Sequence, residues 1–129
     1  MNFKVTKMEF VTRKYVRANP DKIFLFGDNL LGTGFGGQAR TMRGEPNAIG
    51  IPTKKKPSNN TDAFFNDAEF EQNKAAIDLA FGRLAGLRDG TEIVIPSAGL
   101  GTGLAKLPDI APRTFKYLES RLAGLEEAS

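Results

Sequence analysis

The chain contains no cysteine, no histidine and no tryptophan, and each absence removes a class of chemistry. Without cysteine there is no disulfide, no thiolate nucleophile and no sulfur ligand for a metal. Without histidine the commonest general base and the commonest metal ligand are also gone. No metal site and no cofactor is expected, and any catalysis must use carboxylates, lysine, hydroxyls, amides or the backbone. Long apolar runs are missing too. No stretch approaches the roughly 20 residues of a membrane-spanning helix, and the opening MNFKVTKMEF lacks the apolar core and cleavage pattern of a secretory signal. The expectation is a cytoplasmic protein that does not engage a membrane.

What remains is the composition of one compact domain over residues 1–129, with 40% hydrophobic and 26% charged residues. The net charge of +3 conceals an asymmetry: residues 1–60 carry 11 Lys and Arg against 4 Asp and Glu, whereas residues 61–129 carry 7 against 11. The first half therefore favours an anionic partner, although a solvated basic face gives the same count. The run Lys54 to Pro57 is too short for a nucleic-acid tract.

Short β-favouring runs at Met8–Val11, Ile23–Phe26, Ala48–Ile51 and Ile93–Ile95 predict four strands, the second and fourth buried on both faces. Phe70, Ile77, Phe81 and Leu84 share one face of a helix predicted from Glu69 to about Leu87, with Asn66 and Glu69 forming a capping-box pattern at its start and Arg88–Gly90 a stop. A second helix is expected from Ile110 to about Ala123, N-capped by Asp109 with Pro112 in its first turn. A short helix over Gly36–Met42 completes a strand–helix alternation, which predicts an α/β domain. Residues 58–67 read as a polar loop.

The glycines are unevenly placed. Of 14, seven lie between Gly27 and Gly50 and three between Gly99 and Gly103. Each group follows a predicted strand, in GDNLLGTGFGG and in PSAGLGTGLAKLPD, and each leads toward a helix. In an open α/β sheet such loops lie beyond the carboxyl ends of strands, where backbone N–H groups and helix N-termini receive anions. Ordinary tight turns account for one such cluster; two suggest a pair of loops gripping a phosphorylated ligand. Gly32 to Gly37 also satisfies G-x-G-x-x-G, but Gly27 to Leu31 separate it from the strand, and Lys54–Lys56 stand where an acidic ribose contact belongs. A Walker A pattern is absent.

FLFGDNLLGTGFGGQA resembles the first ligand loop of macro domains, and IPSAGLGTGLAKLP resembles their second, phosphate-gripping loop. AIGIPTKKKPS between them is similar to the strand and Thr-Lys segment of the terminal ADP-ribose glycohydrolase and DarG-like class. This resemblance covers about residues 23–122. It implies a three-layer αβα domain with a mixed central sheet that binds ADP-ribose or a related small nucleotide, free or carried on protein or nucleic acid. Under it Gly32, Gly34, Gly36 and Gly37 wrap the distal ribose, with Phe35, Gln38 and Thr53 alongside. Ser97, Gly99, Leu100, Gly101, Thr102, Gly103 and Leu104 form the diphosphate loop. Asn29 falls at the family's ribose-contacting asparagine, or else is a turn residue bonding its own backbone. Phe35 is either a sugar or base platform or a tucked core aromatic.

The catalytic groups of the hydrolytic members are not matched. Ala105 stands where the second loop's acid is expected, and Met42, Arg43 or Gly44 where a lysine is expected. Asp28 and Lys106 are the remaining acid–base candidates. Three functions follow: a binding module for ADP-ribose or a related nucleotide metabolite, a hydrolase or phosphatase on the same fold, or a basic nucleic-acid-binding protein.

Overall fold

The computed structural model describes residues 3–127. The elements, in chain order, are β1 (Lys4–Met8), α1 (Arg13–Ala18), β2 (Ile23–Asn29), α2 (Ala39–Met42), β3 (Ala48–Lys54), α3 (Phe70–Gly82), β4 (Glu92–Pro96), α4 (Leu107–Ile110) and α5 (Pro112–Glu127), with 3₁₀ turns at Thr61–Ala63 and Asp67–Glu69. The four strands form one sheet in the order β1-β4-β2-β3. Every strand pair in it is parallel, so the expected mixed sheet is corrected. Among the described residues, one isolated antiparallel bridge joins Lys54, at the end of β3, to Phe64 in the loop that follows.

Strand β2 shows why the sheet needs cover on both sides. Phe24 and Phe26 point into a cluster with Val16, Ala39, Met42 and Val94, whereas Leu25 joins Ile93, Ile95, Ile77, Leu107 and Leu118. The two-residue period of a strand sends these side chains to opposite faces, and buried parallel strands read as continuous apolar runs for that reason. α1 and α2 cover one face; α3, α4 and α5 contribute to the core on the other.

The first strand lies earlier than expected, at Lys4–Met8 rather than Met8–Val11, because Val5 to Met8 pair in register with Ile93 to Pro96 of β4. The six-residue α1 has no counterpart in the predicted elements; Thr12 caps it, its hydroxyl accepting from Tyr15 N–H at 3.1 Å. α3 stops at Gly82 instead of continuing to Leu87. Beyond it the chain coils on through i→i−3 hydrogen bonds, including Leu84 N to Phe81 O at 3.0 Å, which still buries Leu84.

Asp109 does not cap the last helix, because it sits inside α4. The N-terminus of α5 is instead served from across the fold by Asp67. Its carboxylate accepts from Arg113 N at 2.8 Å and from Thr114 N and Oγ1, both at 2.9 Å. Burial pushes the Asp67 carboxyl upward, but these hydrogen bonds outweigh it and hold the group below the usual carboxylate value.

Candidate functional site

β2 and β4 are neighbours, with Ile23 opposite Ile93 and Phe24 opposite Val94, yet their exits diverge. From β2 the chain runs to α2 on one face, and from β4 it runs to α4 and α5 on the other. Divergence at adjacent parallel strands opens a crevice at their carboxyl ends, the usual ligand position in such sheets. A cleft of about 460 Å³ occupies it, within the size range of small-molecule sites.

Of the sequence-predicted residues, the cleft brings together Asp28, Asn29, Gly34, Phe35, Gly36, Gly37, Gln38, Thr53, Gly101, Gly103 and Leu104. Gly32, Ser97, Gly99, Leu100, Thr102 and Lys106 do not line it. Leu100 is fully buried in the core, Thr102 closes its own turn through Oγ1 to Ala98 O at 2.9 Å, and Lys106 is exposed in a left-handed conformation at φ 49°. At the mouth Phe35 is 63% and Leu104 57% exposed, so Phe35 is not a tucked core aromatic.

Three polar side chains of the cleft organise the loops. Gln38 ties them together: its Oε1 accepts from Gly27 N at 2.7 Å and its Nε2 donates to Gly99 O at 2.9 Å. Asn29 adopts the turn role, accepting from Leu31 N at 3.1 Å and donating to Thr33 O at 2.8 Å. Asp28 pairs with Arg43, whose guanidinium also donates to Gly34 O at 2.5 Å and Thr33 O at 3.1 Å. This pair pins the first glycine-rich loop. Gly50 makes room for it, since a β-carbon there would fall 2.8 Å from Asp28 Cβ and 2.9 Å from its Cγ.

Arg43 and Lys54 are cleft residues that the sequence reading did not assign, as are Pro57, Ser58 and Asn59 on the loop after β3. Lys54 comes there through an irregularity in β3. The register runs Asp28 to Pro52 and then Asn29 to Lys54, passing over Thr53, a bulge of the kind that re-aims side chains near sites. The Lys54 ammonium donates to Ser58 O at 2.6 Å and lies 4.8 Å from the Phe64 ring centre. Burial, and then the charge of Lys106, lowers its pKa from the ordinary lysine value. Pro52 falls inside β3, one residue before the bulged Thr53, and proline within a strand is the sequence feature that accompanies such bulges.

The chain is thus an α/β protein with a ligand-type cleft at the switch point of a parallel sheet. Residues 6–121 match a family of unknown function (DUF7831), and the chain belongs to that family. No curated protein and no solved structure matches it. Among the described residues, no helix is long and apolar enough to cross a membrane and no group of His, Cys, Asp and Glu is arranged to hold a metal.

Proposed function

We propose that this protein binds ADP-ribose or a related nucleotide metabolite, on a three-layer macro-like domain. The observation that carries the reading is the cleft itself: the two glycine-rich loops picked out in the sequence converge on one cavity of about 460 Å³ at the carboxyl ends of β2 and β4. Gly34 and Gly101 adopt φ of 87° and 80°, left-handed backbone that glycine reaches without strain and that anion-binding loops use. The apolar mouth formed by Phe35 and Leu104 suits the flat faces of a base or sugar.

Binding is favoured over hydrolysis by the cleft's charge inventory. Asp28 is the single carboxylate in its lining, and Arg43 holds it. Both of its oxygens accept from the Arg43 guanidinium, so the carboxylate is engaged in clamping the first glycine-rich loop. Binding is likewise favoured over nucleic-acid recognition, because Lys55 pairs with Glu69 at 2.5 Å and Lys56 with Asp62 at 2.8 Å, which neutralises most of the basic run. Calorimetric titration with ADP-ribose, ADP and NAD tests the reading. Saturable one-to-one binding of ADP-ribose supports it, and no heat with any of the three ends it. Incubation with ADP-ribosylated protein, ADP-ribosylated DNA and ADP-ribose 1″-phosphate, followed by mass spectrometry, separates binding from turnover; binding predicts no release.

A further inference from the structure

Lys54 is only 9% exposed, yet among the described residues no carboxylate lies within ion-pair distance of it. The contrast with its surroundings is sharp. The other cationic side chain in the cleft lining, Arg43, is neutralised by Asp28, and the two lysines that follow, Lys55 and Lys56, have Glu69 and Asp62. An ammonium group carries three donors; that of Lys54 uses one on Ser58 O and faces the Phe64 ring, which leaves donors without a protein acceptor. Charges taken out of water are ordinarily paired or bound to a counter-ion. The backbone fixes this one in place, because Lys54 O accepts from Leu30 N at 3.0 Å and the Thr53 bulge sets Lys54 opposite Asn29.

We propose that Lys54 is the charge receptor of the cleft: its ammonium takes a phosphoryl oxygen of the ligand, so that the site selects phosphorylated molecules over the nucleoside carrying the same base and sugar. The inference rests on the nucleotide-binding reading for its choice of ligand, while the charge argument concerns Lys54 alone. It adds a side-chain contact from the end of β3 to the backbone donors of the two glycine-rich loops. Burial, and then the charge of Lys106, disfavours the charged ammonium of Lys54; an arriving anion offsets both effects and a neutral ligand offsets neither.

The test combines lysine footprinting with titration. Wild-type protein is acetylated with and without inorganic pyrophosphate, ADP-ribose or adenosine, and modification of Lys54 is read by mass spectrometry; binding of ADP-ribose and adenosine is measured for wild type, Lys54→Met and Lys54→Arg. Pyrophosphate and ADP-ribose should protect Lys54 whereas adenosine should not. Lys54→Met should weaken ADP-ribose by about 10- to 100-fold, the range for a hydrogen bond to a charged group, leave adenosine unchanged, and be largely rescued by arginine. Equal acetylation with and without pyrophosphate, or wild-type affinity for ADP-ribose in Lys54→Met, overturns the inference. If Lys54→Met does not fold, the wild-type footprint decides. Protection by pyrophosphate without ADP-ribose binding upholds the role of Lys54 and ends the ADP-ribose reading; ADP-ribose binding without protection does the reverse.

Discussion

Replacing Gly50 with alanine should destabilise the protein, against the general rule for strands. Alanine ordinarily gains about 0.5–1 kcal/mol over glycine in regular structure, and Gly50 lies within β3 with no left-handed φ to demand a glycine. The opposing effect comes from Asp28. A β-carbon on residue 50 would sit 2.8 Å from Asp28 Cβ and 2.9 Å from its Cγ, so the carboxylate must leave Arg43. Breaking a buried ion pair costs about 3–5 kcal/mol, and a side-chain exposure of 14% for each partner places this pair toward the lower end. The net is about 2–3 kcal/mol, which at about 4 °C per kcal/mol for a domain of this size is a fall in Tm of about 8–12 °C. Thermal unfolding followed by far-ultraviolet circular dichroism measures it. In an Asp28→Ala background the same substitution should cost much less, because most of the conflicting atoms are gone. A Gly50→Ala protein that melts with wild type, or strictly additive losses in the double variant, refutes the reasoning.

Gly103→Val should weaken ADP-ribose binding with Tm nearly unchanged, because a side chain at Gly103 meets open space at the edge of the cleft. Gly101→Val should instead lower Tm sharply, since its β-carbon would fall 3.0 Å from Leu107 and φ is 80°; paired melting and titration experiments separate the two. Asp67→Ala should cost about 0.5–2 kcal/mol at pH 7, the range for a lost helix cap. Because hydrogen bonds hold the folded carboxyl below its ordinary aspartate value, its contribution is present above that ordinary value and is lost as pH falls through the lower, folded value, so wild type and variant should converge in acid denaturation. Gln38→Ala should speed hydrogen exchange at the Gly27 amide, whose acceptor is Gln38 Oε1; unchanged protection would remove Gln38 as the tie between the loops.

The β2 and β4 strands and their glycine-rich exits were legible because buried parallel strands leave continuous apolar runs and loops at a crevice concentrate glycine. β1 was misplaced since Lys4 and Lys7 interrupt it, as befits an edge strand whose partners lie nearly ninety residues away in β4. α1 has six residues, too few to establish a helical period. Glycine position alone did not separate the cleft from its supports: Gly101 and Gly103 line it, whereas Gly99 supplies the carbonyl that Gln38 grips. The roles of Asp28 and Lys54 were out of reach for a different reason. One is set by an arginine 15 residues onward and the other by a strand bulge, and neither pairing leaves a periodic trace.

The most direct measurement is an amide chemical-shift titration of isotopically labelled protein with ADP-ribose. The account predicts saturable shifts concentrated at Gly27–Gln38, Thr53–Asn59 and Gly101–Ala105, the three segments that surround the cleft. Unchanged spectra at saturating ligand, or shifts gathered elsewhere, as around the exposed Phe10 and Leu79, would contradict it.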